Sequence, residues 1–248
     1  SWFLTGMEKH SDSFRQDLLG NSDSFIDTMR YRTPNFYAQS LEVAMNQLSN
    51  HDHSRFLTRT NGRVGRVGHL GSQAAEENVN KAVLREAVVI QMTWPGAPTL
   101  YYGDEAGLCG FTDPDNRRSY PWGKEDQDLI QFHREVIAMH KNYKVLKHGS
   151  VKFLYKDYNI LGYGRFSRDE QMAVVINNRN EKMTVELPVW EMGISRIRET
   201  VMERVFMTNA ISYSSEHELY PVTAGVVTLQ LDPLCAMVLY HREGLEEE

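Results

Sequence analysis

Residues 94–105, "WPGAPTLYYGDE", decide the fold class. Pro95-Gly96 is a breaker. Ala97 to Tyr102 is then a short apolar and aromatic run, ending on the polar tip Gly103-Asp104-Glu105. Residues 74–93, "AAEENVNKAVLREAVVIQMT", come just before it. There Val79, Ala82, Val83, Ala87 and Ile90 fall on one helical face. Helix, turn, buried strand and polar C-terminal tip is the order of an α/β unit.

Upstream, "SLEVAMNQ" at 40–47 is a second apolar approach, and the overlapping "VAMNQLS" at 43–49 is compatible with a buried strand. It leads into "LSNHDHSRFLTR" at 48–59, which packs Asn50, His51, Asp52, His53 and Arg55 together. "SDSFRQDLLG" at 11–20 and "SDSFIDTMRYR" at 22–32 read as short helices, the second ended by Thr33-Pro34. Residues 36–44 read as a further helix, and "GRVGRVGHLG" at 62–71 as a mobile loop.

Downstream, 106–125 is a long loop rich in Gly, Asp, Pro and Arg. Loops of that length in a compact domain are usually functional or disordered, and Phe111, Tyr120 and Trp122 argue against disorder. "EDQDLIQFHREVIAMHKNY" is an amphipathic helix with Leu129, Phe132, Val136 and Met139 on one face. Near Gly149 the pattern changes to short β-type runs such as "VKFLYK", "MAVVINN" and "CAMVLYH". Evenly spaced strands of this kind suggest an antiparallel sandwich. The expected architecture is therefore α/β over 1–147 followed by all-β over 148–248, with the acidic end "EGLEEE" as a frayed tail. A closed eight-stranded barrel needs about 200 residues or more, so the first part can supply only a portion of one.

Composition narrows the function classes. The chain of 248 residues carries a net charge of −6, against a basic footprint for nucleic acid or an anionic membrane. No apolar run approaches the roughly 20 residues of a membrane span. Cys109 and Cys235 lie far apart, which favours free thiols over a disulfide framework. The compartment stays open, with the cytoplasm favoured. The chain opens on Ser1 without a signal-peptide pattern, and is expected to be part of a longer protein. GxSxG, Walker, GxGxxG and CxxC patterns are absent, so no cofactor is expected.

Two constellations carry candidate chemistry. Polar residues beyond the C-terminal ends of parallel strands form active sites in α/β folds, and adjacent His51 and Asp52 can grip neighbouring sugar hydroxyls as donor and acceptor. The competing reading is a solvated loop with a helix cap at Asp52 or Ser54. Three consecutive ligands on one ion are disfavoured, because neighbouring residues point to opposite sides. In "YYGDEAGLCGFTDPDNRRSYPW", acidic, Arg and aromatic residues suit a carbohydrate site, while packing competes as the role of Tyr101, Tyr102 and Trp122. Asp113-Pro114-Asp115 lacks the further ligands and the Gly of a calcium loop, so no metal site is expected.

At these motifs the sequence resembles the α-amylase superfamily of glycoside hydrolases. Asn50, His51, Asp52 and Arg55 match the end of that family's seventh barrel strand; "GAPTLYYGDEAG" and "DPDNRRSYPW" match the eighth strand and its loop. The resemblance implies the last part of a (β/α)8 (TIM) barrel followed by a C-terminal β-sandwich. It implies an enzyme acting on α-glucan or maltooligosaccharide with retention. It makes Asp52 the transition-state-stabilising carboxylate and His51 its partner at the same sugar. Asp113 and Arg117 would bind a further glucose unit, Arg55 would brace the loop, and Asp104 and Glu105 would be structural. Retention also needs a nucleophile and an acid/base carboxyl about 5–5.5 Å apart. The family's "GxRxDxxxH" and "GE" patterns for these are absent from residues 1–49. The chain alone is then expected to be inactive and to seek the other half of the barrel or a second copy of itself. The alternative is a non-catalytic oligosaccharide- or protein-binding module.

Overall fold

The computed structural model describes residues 1–242; the acidic end read as a frayed tail lies outside the described residues. Its helices are α1 (Trp2–Thr5), α2 (Ser22–Arg32), α3 (Ala38–Glu42), α4 (Phe56–Arg59), α5 (Val67–Leu70), α6 (Lys81–Thr93), α7 (Gln127–Asn142) and α8 (Lys144–His148). Strands β1 (Met45–Asn46) and β2 (Ala97–Pro98) lie in the first part. The second part holds β3 (Ser150–Asp157), β4 (Ile160–Phe166), β5 (Glu170–Asn177), β6 (Met183–Leu187) and β7 (Thr200–Thr208). It continues with β8 (Tyr213–Ser214), β9 (Glu218–Thr223), β10 (Val226–Leu231) and β11 (Cys235–Arg242).

β1 and β2 pair in parallel, Met45 opposite Ala97 and Asn46 opposite Pro98. Parallel neighbours need a crossover, and α6 supplies it. Asn80 caps α6 by accepting from the amides of Ala82 and Val83 at 2.9 and 3.2 Å. Asn46 then donates to the carbonyls of Trp94 and Pro95, both at 3.1 Å, and Gln91 Nε2 donates to Asn46 and Thr99 carbonyls at 2.9 Å. Gly96 sits at φ 132°, where a Cβ would lie 2.6 Å from the Ala44 carbonyl. Only glycine permits that approach of turn to strand.

The ladder is shorter and more open than expected. Val43 and Met45 are 71% and 62% exposed, so the run at 43–49 is no buried strand. The reason is geometric: β1 has a partner on one side only. Tyr37, Phe36 and Tyr31 are exposed nearby in sequence. The helix expected at 11–20 is also absent. Several of its backbone bonds go to residues 3–8, with Arg15 N on Gly6 O at 2.7 Å and Gly20 N on Phe3 O at 2.8 Å, and only a turn remains where Leu18 N and Leu19 N reach Arg15 O. Residues 67–70 of the expected loop form the helical turn α5, and α6 starts at Lys81 rather than 74.

Among the described residues, β3 to β11 form one antiparallel sheet in the order β3-β4-β5-β11-β7-β9-β10-β6, with β8 beside β7. The sheet curls around a core that includes Leu154, Val175, Leu187, Met202, Leu229 and Leu239. Its other face, through Leu161, Tyr163, Val174, Ile176, Val238 and Tyr240, joins α6 and α7 in a second core. β5 and β11 are therefore covered on both faces, which explains the unbroken runs "MAVVI" and "CAMVLY". β10 is covered on one face and alternates. α7 contributes Leu129, Phe132, Val136 and Met139, all buried as its periodicity predicts. α6 is buried nearly all round after Lys81, and Ile90 is the less covered of its apolar residues rather than part of a single apolar stripe.

Glu86 lies inside this shared core at 0% exposure, with neither carboxylate oxygen bonded to a partner. Burial raises its carboxyl well above the usual range, and neighbouring Arg85 pulls it back. The folded state thus holds this proton more tightly than the unfolded chain, whose Glu titrates near about 4.3. The stability this provides is complete below that pH and is lost as pH rises through the folded value. Glu86→Leu is expected to gain about 1–3 kcal/mol at neutral pH. Its urea midpoint should also fall less than the parent's between about pH 5 and pH 8. A variant less stable than the parent at about pH 8 would contradict this account of the core.

Candidate functional site

The polar loops that follow β1 and β2 lie side by side. Asn50 shapes the first: its Oδ1 accepts from the amides of Asp52 and His53, both at 2.9 Å, turning the chain back. Ser49 Oγ accepts from Phe56 N at 2.9 Å and starts α4. Neither Asp52 nor Ser54 caps that helix, since its capping residue is Arg55, without a side-chain bond. His51 and Asp52 stand outward at the tip, 63% and 61% exposed, with His51 Nε2 3.6 Å from Asp52 Oδ1.

Asn116 joins the second loop to the first. Its Nδ2 donates to the carbonyls of Asn50 and His53 at 3.0 and 2.8 Å. Thr112 Oγ1 bonds the Asp52 carbonyl, which His10 Nδ1 also reaches at 3.1 Å. Arg55 N donates to Gly110 O at 2.9 Å, and Gly110 N donates to Thr58 Oγ1 at 2.9 Å. A Cβ at Gly110 would come within 2.5 Å of the Asp115 carbonyl, so the two limbs of the second loop touch there.

Arg55 is the hub. Its guanidinium is fully buried and donates to Asn116 O at 2.9 Å, Tyr102 O at 2.6 Å and Asp104 Oδ1 at 2.9 Å. It lies 4.1 Å from the ring centre of Tyr101 and 4.8 Å from that of Tyr102. Burial raises the Asp104 carboxyl above its usual range, and Arg55 draws it back down. Asp104 thus serves the interior. Tyr101 and Tyr102 split their duties, with rings against Arg55 and the Tyr102 hydroxyl donating to Arg118 O at 2.8 Å.

Asp113 and Arg117 form an exposed ion pair on the second loop. Asp113 raises the Arg117 guanidinium further above its ordinary value; Tyr101 and Asp52 add smaller contributions of the same sign. Asp115 is turned away, accepting from Phe111 N at 2.8 Å and pairing with Arg118 at 2.9 Å. His53 lies behind the tip, edge-on to His10 at 5.3 Å. Burial, then Arg59, Lys9 and His10, lower its pKa to about 4, so it is neutral near pH 7. Trp122 stands clear of the loop at 80% exposure, 4.5 Å from Tyr120 between ring centres.

Residues 11–157 match the family model described as "Alpha amylase, catalytic domain". The chain belongs to the α-amylase family. It is 36% identical over 196 residues to neopullulanase 2 of Thermoactinomyces vulgaris, covering 77% of this chain and 28% of that protein. It is 32% identical over 225 residues to the amylopullulanase of Thermoanaerobacter thermohydrosulfuricus, covering 87% of this chain and 14% of that one. The native structure of the Nostoc punctiforme debranching enzyme superposes with a TM-score of 0.70 at 20% identity, over 96% of this chain and 44% of its own. The chain thus spans less than half the length of these relatives. The fold is the last part of an α-amylase-family (β/α)8 barrel followed by an antiparallel β domain.

His51, Asp52, Asp113 and Arg117 are drawn into one exposed region by the two loops. Asn116, Thr112 and His10 hold those loops together, and sequence reasoning did not assign them. Asn116 stood inside the quoted "DPDNRR" stretch; His10 carried no local signal. Arg55→Ala is expected to cost about 3–5 kcal/mol in urea denaturation, because Asp104 stays buried without its partner. Arg55→Met combined with Asp104→Leu should recover much of that loss. A cost within about 0.5 kcal/mol for Arg55→Ala would mean that other contacts hold the loops.

Proposed function

We propose that residues 1–147 are the closing portion of a catalytic barrel, and 148–248 its β-sandwich, in an enzyme that cleaves α-glucans with retention. The names of the relatives support this: neopullulanase, amylopullulanase and cyclomaltodextrinase act on such glucans. The observation that carries the proposal is the meeting of the two loop tips. Asn116 and Thr112 bond the backbone of the 50–53 loop itself, so Asp52 and the Asp113–Arg117 pair keep a fixed relation.

In this reading Asp52 stabilises the positive, flattened sugar of the transition state while accepting from its hydroxyls, and His51 binds the same sugar. Asp113 and Arg117 offer an acceptor and a planar donor fork to the next glucose unit. Their mutual ion pair costs little to open, because both side chains are half exposed. Asn50 supports the chemistry indirectly, by fixing the turn that presents Asp52.

The two further carboxylates that retention requires belong to earlier barrel strands, whose patterns residues 1–49 lack. The chain alone then binds glucan without cleaving it. A non-catalytic binding module is the second reading. The sequence encoded upstream separates the two: an Asp and a Glu at the earlier strand tips belong to the enzyme, other residues to the binder.

The exposed Tyr37, Val43, Met45 and Leu100 are where the earlier barrel strands would pack. Without them a second copy of the chain covers the same residues. Sedimentation should show self-association that Val43→Thr with Met45→Lys reduces; a parent that stays monomeric at all concentrations would count against this role.

Calorimetric titration with maltotriose tests the site. The chain should bind it and release no reducing sugar. Asp113→Ala with Arg117→Ala should weaken binding by about tenfold or more. Unchanged affinity in that double variant would defeat the assignment.

A further inference from the structure

Besides the loops after β1 and β2, residues 8–12 also meet the turn that carries Asp52. Ser54 N donates to Lys9 O at 3.0 Å, and Gly65 N donates to Ser11 O at 2.9 Å. Arg66 Nε donates to Asp12 Oδ1 at 2.8 Å. The segment bends at Ser11, whose φ of 63° lies in the left-handed region that residues other than glycine seldom enter. His10 stands just before that bend. Its backbone N donates to Glu8 Oε2 at 2.6 Å, and its ring is edge-on to His53 at 5.3 Å. Its side chain is bonded to both site loops.

The count of hydrogens fixes the state of this ring. Thr112 Oγ1 donates to the Asp52 carbonyl, and a hydroxyl carries a single hydrogen. His10 Nδ1 lies 3.0 Å from that same Oγ1 and 3.1 Å from the Asp52 carbonyl oxygen. A carbonyl can only accept, and the hydroxyl has no further hydrogen to give. Nδ1 therefore carries a proton, shared between the two oxygens. The neutral Nδ1–H tautomer and the imidazolium both supply it. The Nε2–H tautomer would set a nitrogen lone pair against the carbonyl oxygen.

The backbone of Asp52 is thus held on both sides. Asn50 Oδ1 accepts from its N–H at 2.9 Å, while His10 and Thr112 donate to its carbonyl. The Thr112 hydroxyl can rotate away from that carbonyl. The N–H of a ring packed against His53 keeps its direction. We propose that His10 is a positioning residue for Asp52: its Nδ1–H fixes the backbone that presents the carboxylate, so that the carboxylate is in place before the sugar arrives. That role rests on the proposed part of Asp52 in glucan binding, and His10 itself need not touch the sugar.

Two measurements on the intact chain test this. Nitrogen NMR of histidine-labelled protein near neutral pH should show the His10 proton on Nδ1; a proton on Nε2 alone would overturn the assignment, and this reading needs no variant. In calorimetric titration with maltotriose, His10→Ala should weaken binding about fivefold. Asn places its amide donor near the position of Nδ1, and Gln places it near that of Nε2. His10→Asn should therefore recover most of the affinity, and His10→Gln should not. A space-filling role would let the larger Gln recover at least as much as Asn, and that result would overturn the proposal. The amide shifts of Val174 and Val238, in the β part, should match the parent's in all three variants and so report that each is folded. If the parent binds maltotriose and His10→Ala binds it equally well, the positioning role falls while the proposed function stands. A parent that does not bind maltotriose would overturn both.

Discussion

Arg55 is a buried guanidinium whose Nε and Nη1 find their acceptors where two loops meet. Its partners are the carbonyls of Tyr102 and Asn116 and the carboxylate of Asp104, all on the chain after β2. Its own backbone belongs to the loop after β1. Separating the loops would strand a charge in the interior, which costs far more than an exposed ion pair provides. The exposed residues at the two tips inherit their spacing from this interior contact. The side chains proposed to touch sugar are thus free of structural work, while Arg55, Asp104, Asn116 and Thr112 carry it.

A second constraint ties the loops to the rest of the molecule. The sheet of the β part is wrapped around its own core, yet its outer face completes the core beneath α6 and α7. Removing either part would expose Tyr163, Val174 and Val238, so the two segments are chemically distinct but share their interior. Glu86 is one of the buried polar groups of that interior, with both oxygens unpartnered.

Much of this was legible in the sequence because the chemistry is local. The breaker at Pro95-Gly96, the periodicity of 125–143 and the doubly apolar runs of β5 and β11 each state their burial directly. His51 and Asp52 stood out as polar residues at a strand end, whereas Asp113 and Arg117 were assigned through the family resemblance. What failed depended on distant partners. The segment 11–20 has helix-like spacing, but several of its backbone bonds go to residues 3–8 and only a turn remains. β7 and β9 were not recognised, because "TVMERVFMT" and "ELYPVT" place charged or proline residues among the apolar ones. The exposure of Val43 and Met45 depends on what stands beside β1, and local pattern contains no information on that. His10 and Thr112 enter the site region through the tertiary fold alone.

The central claim is that the two loop tips face one bound sugar chain. A crystal structure of the chain with maltotriose tests it most directly. The account predicts one continuous ligand, with a hydroxyl within hydrogen-bond distance of the Asp52 carboxylate and the adjoining glucose between Asp113 and Arg117. A ligand that contacts the 113–117 loop while Asp52 points away into solvent, or that occupies neither loop, would contradict it.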